Sequence, residues 1–519
     1  MLWSDRSFLR GAWACLTLIA AEAAHAAGAA PVTAPAPIAP SATASLDAAW
    51  PPALAQQARQ AGVSLDAVSM LVLPVQGGNE RLAIQGDTSR SVASVMKVFT
   101  TGAALQLLGP AFTWKTEVGL GGAITPAGIL RGPLYLRGSG DPALVLERWH
   151  LFMARWRAAG LHDIHGDIVL DRQRFQVPQH DPAAFDGRAL KPYNAGPDAL
   201  LLNHRALILR FRPDDVRPGQ VRVSLEPQLD GMDVVNRTRL VEGMPCGDWR
   251  EALTLSLTPD GSARAPERQN WRIEVKGPYP RACEEKDWPL LWTGDSANDY
   301  AERLMTGAWR QMGGHLNGVV RDGSWPTGLA PWMSWSSPPL TSVIYDINKF
   351  SNNVMARQLF LTLGADAASN ASATLDRARQ VVSQQVLGQT RDTSGKSACE
   401  GEGLVLDNGS GLSRQERASA RCVAHWLRAL WNSPVMPEFV SSLPVAGTDG
   451  TARRLNGAAG RVHLKTGSLD GVSAVAGIAD GLSGQRYVVV GVVNGPSAER
   501  ARPLLDALLS WTVQDTHTP

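Results

Sequence analysis

The sequence predicts an α/β (α+β) fold in which one sheet, covered by helices on both faces, is built from the two ends of the chain around an interrupting module. Three observations carry this. Ala67–Val75 is a β-branched, strand-like run with Glu80–Ile84 as its hairpin partner. Near the other end, Val472–Ala479 and Gln485–Val493 flank the turn Gly481-Leu-Ser-Gly484. Between them, Ser94 and Ser351 stand roughly 250 residues apart, far more than a helical subdomain needs to return to a shared site, so an inserted module is expected.

The ends are read first. Arg6 and Arg10, the apolar run Gly11–Ala24 and Ala24-His-Ala26 make residues 1–26 a signal peptide. Cys15 has no leucine three positions before it, which argues against a lipoprotein. Residues 27–47 form an Ala/Pro-rich linker. No later stretch is apolar enough for a transmembrane anchor, so an exported, periplasmic protein is expected. The 519 residues are 44% hydrophobic and 19% charged, ordinary for a folded protein, and the formal net charge of +2 gives no reason to expect nucleic acid. Past the signal peptide remain Cys246, Cys283, Cys399 and Cys422. An even number in an oxidising compartment suggests disulfides. Three pairings are possible, and Cys246–Cys283 with Cys399–Cys422 keeps each bond inside one expected domain; free buried thiols are the alternative.

In the body of the chain, Pro52–Ala61 reads as a helix leading into the first strand. Small and apolar residues then predict a helix over Ser94–Leu108, stopped by Gly109-Pro110. Ser94 lies in its first turn, where free N–H groups favour a developing oxyanion. Lys97 follows at i+3, on the same face. Val95, Val98 and Phe99 would desolvate its amine and lower its pKa, as a base requires. A Ser and a Lys so spaced are common on ordinary helices. Here, however, Ser351-Asn-Asn353 and Lys465-Thr-Gly467 complete the set S-x-x-K, S-x-N, K-T-G in that order. Thr341–Phe350 and Val354–Leu363 read as helices that leave Ser351 and Asn353 at a junction, Arg461–Lys465 as a strand, and Ser497–Val513 as a final helix.

The module carries an internal echo. Helix Leu144–Ala159, a Gly turn and a strand ending at Asp171 match helix Ala297–Met312, a Gly turn and a strand ending at Asp322. The two could flank one sheet. Between them, Gln220–Leu225, Leu253–Thr258 and Asn270–Val275 read as strands of a small β-rich domain.

Together with Leu136–Pro142, Ser337–Leu340, Asn348–Asn353, Gly409–Arg414 and Gly447–Thr451, these motifs resemble the type-4 penicillin-binding proteins, D-alanyl-D-alanine carboxypeptidases and endopeptidases of peptidoglycan. The resemblance runs from about Trp50 to Thr512. It implies a β-lactamase/transpeptidase-like catalytic domain (48–118 and 331–519) interrupted by two nested inserted domains, the second at 119–204 and 286–330 and the β-rich third at 205–285. It also implies catalytic roles for Ser94 as acylated nucleophile, Lys97 as its base, Ser351 as proton relay, Asn353 as a holder of the substrate amide, and Lys465. Lys465 and Thr466 would bind the terminal carboxylate, and Ser94 and Ser468 would offer oxyanion-hole N–H groups, with Gly467 between. The partners implied are peptidoglycan peptides, with β-lactam antibiotics as covalent inhibitors and no cofactor or metal. This chain has Val92-Ala93 where the family commonly has Pro-Ala. Family members use an inserted-domain acid for the amino end of the stem peptide, and Lys191–Ala195 offers no carboxylate for it. Two other readings are a β-lactamase and a non-catalytic muropeptide-binding protein. His162-Asp-Ile-His165 lacks a third ligand and reads as structural, the tryptophans as core, and Asp141, Asp407 and Asp449 as backbone caps in Gly-rich turns.

Overall fold

A computed structural model of the chain describes residues 50–265, 268–294, 297–365 and 371–515. The expected signal peptide and linker lie outside them. A five-stranded antiparallel sheet is built from both ends of the chain, in the order Leu82–Ile84, Val68–Pro74, Arg486–Asn494, Val472–Asp480, Val462–Leu469. Its three central strands are largely apolar on both faces because both are covered. Leu71, Leu73, Ala474, Ala476, Val488 and Val490 face one core. Their alternates Val68, Met70, Val72, Val475, Ala479 and Val489 face another, with residues of the Pro52–Gln60 and Arg502–Val513 helices.

The first core holds the Lys97–Leu108 helix, preceded by a 3-10 turn at Ala93–Met96 that the apolar pattern did not reveal. Also undetected in the sequence were the Leu375–Gln389, Ala420–Trp431 and Met436–Ser442 helices. Gly102 admits the Ala420–Trp431 helix closely, since a Cβ there would lie 2.6 Å from Leu430. Trp426 of that helix is buried, stacks on Phe99 at 6.3 Å between centroids, and donates its indole N–H to the Val98 carbonyl at 3.0 Å.

The internal echo becomes a paired structure. Ile168–Asp171 and Val320–Asp322 are parallel neighbours in a second five-stranded sheet, and Asp163–His165 pairs in parallel with His315–Leu316. The Leu146–Ala158 and Ala297–Gln311 helices share one core, where Trp156 and Trp309 meet at 6.1 Å. The region between is β-rich as expected, with longer strands at Thr254–Ala265 and Arg268–Pro280 and further ones at Ala206–Pro213, Met232–Val241 and Lys286–Leu291. Lys286–Leu291 pairs with Ala206–Pro213. Disulfides join Cys246 to Cys283 and Cys399 to Cys422, the pairing favoured from the sequence. Among the described residues no helix is long and apolar enough to cross a membrane.

Trp426→Ala removes a buried indole packed against the Lys97 helix. The expected cost is about 3–5 kcal/mol, read as a lower denaturant midpoint, and a loss below about 1 kcal/mol would refute this packing role.

Candidate active site

Three distant segments meet at one cleft. Ser94 sits in the 3-10 turn, Ser351 between the Leu340–Lys349 and Asn353–Leu363 helices, and Lys465 on the edge strand Val462–Leu469. Two glycines permit the approach. A Cβ on Gly467 would stand 2.4 Å from the Val92 carbonyl oxygen and 3.2 Å from the Ser94 nitrogen. One on Gly411, which has φ +80°, would stand 2.0 Å from the Ala93 carbonyl oxygen. Two non-glycine residues at the junctions also take positive φ, Ala93 at 46° and Ser351 at 58°. Such strain persists only where the surroundings hold it, and it is often found at functional sites.

The Lys97 amine is fully buried and contacts Ser94 Oγ at 2.9 Å, Asn353 Oδ1 at 2.5 Å and the Ser410 carbonyl. Two of these partners can only accept. A neutral amine has two N–H bonds and one lone pair, so giving both hydrogens to Asn353 and Ser410 leaves the lone pair for the Ser94 hydroxyl, which can donate. Burial lowers the Lys97 pKa well below that of an ordinary lysine, and the nearby Lys465 lowers it further. Lys465 is also fully buried, which lowers its pKa to about 7. Its Nζ lies 3.0 Å from Ser351 Oγ and 2.8 Å from the Thr466 carbonyl oxygen.

The scaffold on either side is tied down. Lys349, just before Ser351, pairs with Asp449 at 2.6 Å, and Asp449 also accepts from the Val445 N–H at 2.7 Å. Thr451 meets Thr466 at 2.7 Å between their hydroxyl oxygens. The module is fixed to the helix that carries Asn353. Gln358 donates to the Asp198 carbonyl at 2.8 Å and accepts from the Asp198 N–H at 2.9 Å, while Arg357 donates to the Ala195 carbonyl at 3.1 Å. Asp141 caps the Ala143 N–H at 2.7 Å, as expected. Asp449 caps and also pairs with Lys349, whereas Asp407, expected as a cap, instead accepts from the side chains of Arg379 at 2.7 Å and Asn408 at 3.3 Å.

A cavity of about 640 Å³ is lined by Ser94, Ser351, Thr466, Gly467 and Ser468. A second, of about 550 Å³, shares Ser94, Ser351 and Ser468 and adds Asn353, Asp186 and Tyr193. All eight sequence-selected residues are thus brought together, with Lys97 and Lys465 beneath the cleft. Asp186 was missed. It lies only five positions before the Lys191–Ala195 segment, in a turn with no periodic signature. Burial raises its pKa, but the Tyr193 hydroxyl at 2.7 Å, the Arg188 N–H at 3.0 Å and the Asn194 amide at 2.9 Å together hold it below the usual carboxylate range. His165 is exposed on its strand, and among the described residues no group of three His, Cys, Asp or Glu could hold a metal ion.

Comparison with known proteins follows this geometry. The profile described as the D-Ala-D-Ala carboxypeptidase 3 (S13) family matches residues 52–514. A D-alanyl-D-alanine carboxypeptidase of an Actinomadura species is 30% identical over 466 residues, 85% of this chain and 80% of that one. The carboxypeptidase DacB of Haemophilus influenzae is 25% identical over 422 residues, 79% of this chain and 82% of its own. The crystal structure of penicillin binding protein 4 from Haemophilus influenzae superposes with a TM-score of 0.67 at 21% identity, covering 88% of this chain and 99% of that one. That protein has also been solved in complex with a β-lactam, and this structure superposes with a TM-score of 0.66.

Proposed function

The chain belongs to the D-Ala-D-Ala carboxypeptidase 3 (S13) family, and from that premise we propose that it cleaves peptidoglycan stem peptides and their cross-links through an acyl-enzyme on Ser94. The observation that carries the reading is the Lys97 amine, buried and with both N–H bonds directed to acceptor-only partners. Its lone pair takes the Ser94 proton as Oγ attacks the D-Ala carbonyl. Ser351, bonded to Lys465, relays a proton to the departing amine. Asn353 gives its oxygen to Lys97 and keeps its NH₂ for a substrate carbonyl. The N–H groups of Ser94 and Ser468 form the oxyanion hole; losing one such donor typically costs about 10²–10³ in rate. Water then hydrolyses the acyl-enzyme.

Lys465 and Thr466 select a free C-terminal carboxylate. The buried Lys465 binds it in the ammonium form, and the incoming negative charge offsets the desolvation that lowers its pKa. Asp186, held ionised on the cleft wall, recognises the free amino group of the stem peptide, the part for which the sequence suggested no residue. The disulfides and the lack of a membrane-spanning helix among the described residues fit an exported protein that works in the periplasm. We read the chain as a catalytic domain interrupted by an inserted module, although one core runs through both expected parts of that module and Lys286–Leu291 pairs with the β-rich part. β-Lactams acylate the same serine and leave slowly.

The test is D-alanine release from a pentapeptide muropeptide and cleavage of a cross-linked dimer, followed by mass analysis. The wild-type protein is expected to yield both products and Ser94→Ala neither. Fast penicillin turnover would favour the β-lactamase reading, and binding without release the non-catalytic one. The kcat/KM for a carboxylate-ended substrate should be bell-shaped. It rises as Lys97 loses its proton, at a pH well below that of an ordinary lysine, and falls above about 7 as free Lys465 loses its own. A flat profile through that alkaline range would rule out the Lys465 role. For Asp186, acetylating the amino group of the stem peptide should raise KM for the wild type and leave Asp186→Asn unaffected. An equal rise in both would remove Asp186 from recognition.

A further inference from the structure

One buried carboxylate has no part in the mechanism above. Glu416 is 2% exposed, in the loop after the Gly409-Ser-Gly-Leu-Ser-Arg414 motif. Its Oε1 accepts from the backbone N–H groups of Asp407 at 3.2 Å, Asn408 at 3.0 Å and Gly409 at 2.6 Å, and its Oε2 from that of Gly411 at 2.7 Å. All four contacts come from donors. Burial raises the Glu416 pKa and the Gly409 and Asp407 N–H groups lower it; a protonated carboxyl would turn an O–H against an N–H, so the loop is built around the ionised form.

What the carboxylate folds is the segment that touches the base. With its N–H groups turned to Glu416, the loop sends two carbonyls the other way, onto one face of the nucleophile's helix. The Gly409 oxygen accepts from Thr100 Oγ1 at 2.6 Å and the Ser410 oxygen from Lys97 Nζ. Gly409 takes φ +72°, and a Cβ there would stand 2.3 Å from Phe360. Phe360 is on the Asn353–Leu363 helix, and the same Cβ would stand 2.6 Å from Thr100 Oγ1 on the nucleophile's helix, so the loop is wedged between the two. Asn408 Oδ1 locks it by accepting from the Ser410 N–H at 3.1 Å and from its hydroxyl at 2.6 Å.

We propose that Glu416 is a positioning residue for acylation: it folds the 407–411 loop so that the Ser410 carbonyl takes one N–H of Lys97, and it places a negative charge behind that amine. Without the Ser410 acceptor the amine is free to rotate, and its lone pair is no longer aimed at Ser94 Oγ. The charge acts in the same place. Of the charged groups around Lys97, Lys465 and Arg357 disfavour its ammonium form and Glu416 favours it, while Asp407 is the charge facing Glu416. Removing the Glu416 charge should therefore let Lys97 lose its proton at lower pH. The inference rests on Lys97 being the base.

The experiment follows acylation by a penicillin across pH, together with the melting temperature, for wild type, Glu416→Gln, Glu416→Asp and Asn408→Ala. Glu416→Gln is expected to lower the acylation rate by about 10²-fold, as a misdirected base does, and to move the acid limb of the profile to lower pH. Asn408→Ala and Glu416→Asp keep the charge and disturb the loop, so they should lose rate with the limb unmoved. A purely structural role would lower the melting temperature of Glu416→Gln while its rate per folded molecule and its limb matched wild type. That result overturns the proposal. Should Glu416→Gln not fold, a folded Glu416→Asp that acylates at the wild-type rate overturns it equally. A wild-type protein that does not acylate at all would refute the reading of Ser94 and Lys97 instead.

Discussion

The structure depends on the burial of two lysine amines side by side. Lys97 and Lys465 are each fully enclosed, and among the described residues neither has a carboxylate bonded directly to its amine. Removing an ammonium from water costs several kcal/mol unless it is paired, so a buried lysine tends toward the neutral form. In most proteins that would be a defect. On the function proposed above, it makes one amine a base at moderate pH and leaves the other short of a negative charge that a substrate carboxylate would supply. The rest of the cleft can be read as the arrangement that keeps both amines dry and aimed.

That arrangement is costly in backbone freedom. Ser94 is held in a tight turn between two glycines, one on the edge strand and one on the 407–411 loop, so close that no side chain fits at either. Ser351 takes a left-handed conformation, fixed from the flanks by the Lys349–Asp449 pair and by the tie of Thr451 to Thr466. The antiparallel sheet, buried on both faces, gives these contacts a rigid support. Through Gln358 and Arg357 the inserted module grips the helix that carries Asn353, so the wall holding Asp186 is set against the reacting groups by the same element that positions them.

Much of this was legible in the sequence, and the reasons are local. The i+3 spacing already placed Lys97 against Ser94, although Ser94 sits in a 3-10 turn and the helix begins at Lys97. The sheet could be read from both ends because its central strands are rich in valine and other apolar residues. The echo of helix, Gly turn, strand and aspartate suggested two units on one sheet, and the structure pairs their strands directly and in parallel, Ile168–Asp171 with Val320–Asp322. What stayed hidden depends on long-range placement. Glu416 lies in the polar run Ser413-Arg-Gln-Glu-Arg417, which reads as a solvated turn, yet it is buried because four N–H groups converge on it. Asp186 acquires its position only when the module folds back over the cleft. The Ala420–Trp431 helix did carry a signal, since Ser419 caps it at the Cys422 N–H and Val423, Leu427 and Leu430 line one side.

The most direct test of the account is where a penicillin attaches. Trypsin cuts after Arg90 and Lys97, so the nucleophile's turn is isolated in the peptide Ser91–Lys97 of the wild type and Ser91–Lys115 of a Lys97→Met variant, and fragmentation separates Ser94 from Ser91. The account requires the penicilloyl mass on Ser94 in the wild-type protein and its disappearance in a folded Lys97→Met variant. A label on any other residue, or labelling of Ser94 that survives the loss of the Lys97 amine at an unchanged rate, would contradict it.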